Sequence, residues 1–344
     1  MKRLLVLVLA LAGCAPALPL HGGGSSPTAK APHRTPSPKP VLPAWTGNCT
    51  QFFTDAQSQA VTGQATTLQP ANSFIYAFDA VTTLAGGHDC AYSDANSDSE
   101  HVVVSIFPAT LPGAAASAPT CAGANAGPVQ FQDICTAGTV AHGYWMTMDF
   151  SPGTTLTYAQ AFAAVNAMIA TFTTATATFA PPVAPAAIAG TWVKTETCDT
   201  LATHSGAAAT IGYPAFGHAV DPVYDGNGPA FTAAQTSVGA IGCQWGSQTG
   251  LAPSGKLAGF QVYLVPGAGK LNPPAAIPTN ATAVTIPGAT SAWDIEYNGN
   301  NVVNVFVVAG SNYLEFTPDG NQVLSLAAIA PAISKILSTM NAGG

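Results

Sequence analysis

Two series of landmarks follow one another along this chain in the same order, and together they restrict what it can fold into. The first begins at Cys49 and continues with Thr54 to Gln57, a Thr-x-x-Gln pattern that caps a helix start. Cys90-Ala91-Tyr92 follows, then the β-branched run Val102 to Phe107, a strand halted by Pro108. A second strand is predicted over Val129–Cys135, and a third over Gly143–Phe150, ending at Ser151-Pro152-Gly153. Thr157 to Gln160 is another capping pattern. It opens a helix with Tyr158, Phe162, Val165, Ile169 and Phe172 on one face.

The second series runs from Cys198 to Cys243-Gln244-Trp245 and a strand Phe260–Val265 halted by Pro266. Two runs, 291–297 and 302–308, then form a hairpin around Asn298-Gly299-Asn300-Asn301, a sequence that supplies the positive φ angles a tight turn needs. A strand over 312–316 ends in Thr317-Pro318, and Leu326, Ile329, Ile333, Ile336, Leu337 and Met340 make the stripe of a last helix. The expected fold class is α+β: two tandem repeats, 45–180 and 186–344. Each is an antiparallel sheet packed by an N-terminal short helix and a C-terminal amphipathic helix. Phe150-Ser151-Pro152 and Phe316-Thr317-Pro318 are the anchors of the alignment.

A chain of 344 residues that is 48% hydrophobic can bury cores for two such units. Only 7% of it is charged, so the surface must be built from Ser, Thr, Asn, Gln and Gly. The net charge is −7, and no Lys or Arg lies between Trp45 and Ala180, against eight acids there. Nucleic acid is excluded as a partner, because phosphate binding needs clustered cations.

The N-terminus carries an address. Lys2 and Arg3 precede an apolar run from Leu4 to Ala12, too short to span a bilayer, and Leu11-Ala12-Gly13-Cys14 follows. This resembles the lipobox of bacterial lipoproteins, in which a signal peptidase cuts before the cysteine and the sulfur carries a diacylglyceryl group. The resemblance implies a signal peptide over 1–13, lipidation at Cys14 and an anchor on the outer face of the cell membrane. Two acyl chains hold stably where one holds marginally. Residues 14–44 read as a tether: Gly22-Gly23-Gly24-Ser25-Ser26 and then six prolines between Pro27 and Pro43 favour extended polyproline II. Thirty such residues reach at most roughly 90 Å.

The lipobox, the proline-rich tether, an early cysteine before a helix and Cys243-Gln244-Trp245 before a strand resemble actinobacterial envelope lipoproteins grouped as domain of unknown function 3558. The chain departs from that pattern in Asn48-Cys49, in Cys90-Ala91-Tyr92 and in carrying two copies. The sensor domains of some actinobacterial receptor kinases are a second, looser resemblance. Neither implies a catalytic residue.

With Cys14 lipidated, six cysteines remain: Cys49, Cys90, Cys121, Cys135, Cys198 and Cys243. Export places them in an oxidising space. The second repeat holds only Cys198 and Cys243, which should pair. Their counterparts by order are Cys49 and Cys90, which leaves Cys121 with Cys135.

Local motifs for chemistry are weak. His204-Ser205 near Asp199 has the residue types of a hydrolytic triad but reads more simply as surface. His88-Asp89-Cys90 sets a carboxylate beside a cysteine expected to be oxidised. Asp94, Asn96, Asp98 and Glu100 alternate as in a calcium loop. Ser99 and Ser105, however, stand where Gly and Glu are required, so an acidic turn is the better reading. Tyr224-Asp225-Gly226-Asn227-Gly228 lacks the strand and the lysine of a phosphate cradle, and Trp145, Trp245 and Trp293 read as core. No catalytic residue, metal ligand or cofactor is assigned. The expected function is a binding or accessory module at the cell envelope, for a protein, a glycan or a small apolar ligand. A hydrolase with a non-contiguous site and a structural or sensing spacer are the alternatives.

Overall fold

The computed structural model describes residues 42–70, 76–94, 100–121, 134–183, 185–193, 196–211, 228–246, 259–271, 280–296, 303–319 and 326–342. Residues 1–41, with Cys14 and most of the segment expected to be a signal peptide and tether, lie outside these. So do residues 95–99 of the acidic turn, Tyr224 to Asn227, and the turn at Asn298 to Asn301. From Val41 onward the chain is one compact unit.

Helix α1 (Asp55–Thr62) begins where Thr54 and Gln57 satisfy each other's free amides: Gln57 N–H donates to Thr54 Oγ1 at 3.3 Å and Thr54 N–H to Gln57 Oε1 at 2.9 Å. It stops at Gly63, whose φ of 73° a side chain would resist. The same reciprocal cap, Thr157 with Gln160, opens α3 (Tyr158–Thr176). Its buried stripe is Ala161, Val165, Met168 and Phe172, with Tyr158, Phe162 and Ile169 only partly buried. The stripe is turned toward the small residue Ala161 relative to the face read from the largest side chains.

Two antiparallel six-stranded sheets carry the rest. The first comprises β1 (Thr67–Leu68), β2 (His88–Ser93), β3 (Glu100–Pro108), β4 (Ser117–Cys121), β5 (Cys135–Ala141) and β6 (Tyr144–Phe150), in the order β1-β2-β3-β6-β5-β4. The second comprises β7 (Ile241–Gly246), β8 (Gly259–Val265), β9 (Ala281–Val284), β10 (Ser291–Glu296), β11 (Val303–Ala309) and β12 (Asn312–Asp319), in the order β7-β8-β12-β11-β10-β9. Five strands correspond one to one. The first sheet adds β1 outside β2, and the second adds β9 at its opposite edge.

Register aligns the two sheets residue by residue. Cys90 lies opposite Val104 and Val104 opposite Met148; Cys243 lies opposite Val262 and Val262 opposite Phe316. Tight turns join Ala141 to Tyr144 and Ala309 to Asn312. This corrects one anchor: Phe316 occupies the place of Met148, not of Phe150, which faces Val102 just as Pro318 faces Phe260. The Phe-Ser-Pro and Phe-Thr-Pro triplets are therefore two residues out of step. The strand expected over Val129–Cys135 is corrected too: β5 begins at Cys135, and residues 122–133 lie outside the description.

Strand alternation sends side chains to two faces. In β6, Tyr144, Met146, Met148 and Phe150 enter a core that also holds Val61 of α1 and Val165, Met168 and Phe172 of α3. In β12, Leu314 and Phe316 enter a second core with Leu201 of α4 (Cys198–Ser205), Ala207 of α5 (Ala207–Ile211) and Ile329, Ile333, Ile336 and Leu337 of α7 (Leu326–Ala342). Alternate residues, Trp145 and Tyr313 among them, enter a third core. That core is filled by two helices with no counterpart in the sequence reading, α2 (Ala77–Leu84) and α6 (Gly228–Val238). The two sheets thus share a middle layer made of one helix from each half.

Three disulfides are present: Cys49–Cys90, Cys121–Cys135 and Cys198–Cys243. The first ties the segment before α1 to β2, the strand next to edge strand β1, and the third ties Cys198, ahead of the second sheet, to its edge strand β7. The second fastens edge strand β4 to β5.

Candidate functional site

The middle layer is built from a pattern that occurs twice. Ala77-Phe78-x-Ala80-x-x-Thr83-x-x-Gly86-x-x-x-Cys90 matches Ala230-Phe231-x-Ala233-x-x-Thr236-x-x-Gly239-x-x-x-Cys243, with identical spacing. Both helices end in the same way. Gly86 N–H donates to Thr83 O and Gly87 N–H to Thr82 O; Gly239 N–H donates to Thr236 O and Ala240 N–H to Gln235 O. Gly86 and Gly239 hold φ of 77° and 70°, the left-handed turn of this cap. The phenylalanines meet each other: Phe78 stacks on Phe231 with ring centroids 4.2 Å apart. Equivalent residues in mutual contact are what a two-fold arrangement produces, here within one chain.

At the far end of these helices the halves part into a cleft of about 300 Å³. Leu84 and Ala85 end α2 on one side, and Ser237 and Val238, their equivalents, end α6 on the other. Leu111 lies just past β3, while Pro266 and Gly267 lie just past β8. The remaining wall is the connection between halves, Pro185 to Ile188 with Thr191 and Trp192. None of these lining residues is charged.

Asn312 holds that wall in place. It is buried, 4% exposed. Its Oδ1 accepts from Trp192 N–H at 2.8 Å and Gly267 N–H at 3.4 Å, and its Nδ2 donates to Gly190 O at 3.1 Å and Ala309 O at 3.3 Å. Ser311 Oγ donates to Ala189 O at 2.9 Å. The connection also presses on Gly267, where φ is +85° and a Cβ would come within 3.3 Å of Ile188 Cδ1. In the first half the equivalent of Asn312 is Tyr144, whose hydroxyl donates to Ala180 O beside the Ala44–Ala180 bridge.

The other end of the middle layer holds buried acid. Glu315, 8% exposed, reaches from β12 across to the first half, where its Oε2 accepts from Ala77 N–H at 2.9 Å at the start of α2. Burial drives its pKa up to about 7; the Ala77 hydrogen bond opposes the shift and the nearby Asp79 adds to it. Asp79 is itself raised by burial and accepts from Tyr76 N–H at 3.3 Å. Asp149 is pushed to about 7 by burial and by Asp89.

The sequence candidates are scattered. Ser205 Oγ donates to Leu201 O at 2.6 Å, while His204 Nδ1 lies 3.0 Å from Glu196 Oε1, so serine and histidine are each engaged elsewhere. Cys90 is in a disulfide, and His88 packs edge-on against Trp45 at 5.5 Å. Asp94 lies 3.1 Å from His101 Nε2. Trp145, Trp245 and Trp293 are buried in cores. No group of three or more metal-ligating side chains occurs among the described residues, and no helix among them is long and apolar enough to cross a membrane.

Comparison with protein-family models, curated proteins and solved structures found no match.

Proposed function

We propose that this chain is a lipid-anchored binding module on the outer face of the cell membrane, built from two tandem repeats of one α+β unit whose seam holds the ligand. In each repeat an N-terminal short helix and a C-terminal amphipathic helix pack one face of the sheet, leaving the other face for the partner repeat. The shared strand order, the shared register and the duplicated Ala-Phe-x-Ala pattern support the repeat. Leu11-Ala12-Gly13-Cys14 and the proline-rich tether support the anchor.

The cleft at the seam carries the binding reading. Interfaces between packed units are among the preferred places for mostly apolar, largely preformed ligand pockets, and this one has a wall fixed by a buried amide. A photoreactive benzoylphenylalanine in place of Leu84, in the membrane-bound protein in its own cells, is expected to give a discrete adduct. The same group at the exposed Val140 should give none. A Leu84 probe that captures nothing, or the same products from both positions, would contradict the reading.

A further inference from the structure

We infer that the seam cleft takes the end of an uncharged hydrocarbon chain, an inference that rests on the binding reading above and adds the class of ligand. Charge decides first. Among the described residues the lining contains no Lys, Arg, His, Asp or Glu, and the raised acids, Glu315 and Asp79, sit at the opposite end of α2. An anion entering the cleft would lose its water and meet no cation. A cation would meet no carboxylate. Either transfer is unfavourable by far more than the apolar contacts return. The charge complement of this surface is a neutral group.

Hydrogen bonding decides next. The polar side chains at the cleft are Ser237, Thr191 and Trp192. Ser237 Oγ already donates to Ala234 O at 2.7 Å, and Trp192 Nε1 to Asn341 Oδ1 at 2.8 Å. A sugar would bring several hydroxyls to a wall whose side chains leave only that of Thr191 to meet them, the rest depending on backbone groups, and each hydroxyl buried without a partner is costly. Leu84, Leu111, Ile188, Val238 and Pro266 instead present carbon to carbon. The volume, about 300 Å³, lies at the lower limit for small-molecule pockets. It admits one chain end rather than a whole lipid. The cleft is open on one side, so a longer chain leaves its head in water.

The test is a series of 1-alkanols from hexanol to tetradecanol, titrated against the full chain carrying Cys14→Ser in detergent-free buffer and read by isothermal titration calorimetry. Affinity should rise roughly fourfold per added methylene and then level off once the cleft is full. Ala85→Trp and, at the half-buried neighbour, Leu84→Trp should each abolish the rise with the circular dichroism spectrum of the folded protein retained, and Val140→Trp should leave it intact. Fatty acids of the same length should bind at least tenfold more weakly at pH 8. Affinity independent of chain length, equal binding of the carboxylates, or an unchanged series in Ala85→Trp or Leu84→Trp would overturn the inference. If no alkanol binds while the Leu84 probe still captures a cellular ligand, the ligand class is wrong and the binding reading stands.

Discussion

Asn312 uses both donors and both acceptors of its amide on backbone groups, three of them in or beside the connection between halves. Asn312→Ala leaves those groups buried and unpaired, and should cost about 2–4 kcal/mol in urea unfolding. Glu315 makes a prediction of opposite sign. Its folded pKa, about 7, lies above the ordinary carboxyl value, so its stabilising share is complete below the ordinary value and is lost as pH rises through 7. Asp149 acts in the same sense. His88, lowered by burial, works against both once pH falls below its ordinary value of 6.5. Melting temperature should therefore rise as pH falls from 8 to 6.5. Glu315→Gln, which keeps an acceptor for Ala77, should stabilise the protein at pH 8 by on the order of 1–3 kcal/mol and flatten that slope. An unchanged slope in the variant would show that Glu315 is not the buried acid responsible.

At the scale of elements, the three disulfides contribute unequally. Cys198 and Cys243 are separated by 45 residues and Cys121 and Cys135 by 14. Chain entropy then predicts losses of about 4 and about 3 kcal/mol when each pair is replaced by alanines, a difference that denaturant titration of the two double variants can read. The elements legible in the sequence were those with a strong local signal. The Thr-Gln caps gave α1 and α3. Prolines after Phe107 and Val265 gave the ends of β3 and β8. The Cys-x-aromatic landmarks fall on β2 and β7, strands not predicted from the sequence. The helices of the middle layer were missed because α2 is eight residues long, starts at Tyr76 without a Ser, Thr, Asp or Asn cap, and takes its helical state from burial between two sheets. β1 and β9 are edge strands of two and four residues, and β4 contains Pro119 and a register shift, so none shows clean alternation. The signal that could have found α2 and α6 was long-range: the same Ala-Phe-x-Ala spacing before Gly86 and Gly239. Asn312 had no signal at all, because a single asparagine at a strand start reads as turn chemistry. Its role depends on a connection 120 residues away in sequence.

In the whole molecule, one idea connects these parts: two like halves meet through α2 and α6 and leave a cleft where those helices end. Cys14→Ser should move the protein from the membrane fraction to the medium or to uncleaved precursor, and unchanged fractionation would remove the anchor from the account. That result leaves the seam untouched. The seam is tested most directly by a double-mutant cycle on Phe78 and Phe231, whose rings lie 4.2 Å apart across it. Unfolding free energies of Phe78→Ala, Phe231→Ala and the double variant should reveal a coupling of about 0.5–1.5 kcal/mol, as stacked rings give. Additivity within about 0.3 kcal/mol would mean that the two phenylalanines do not touch, and that the halves do not meet through these helices.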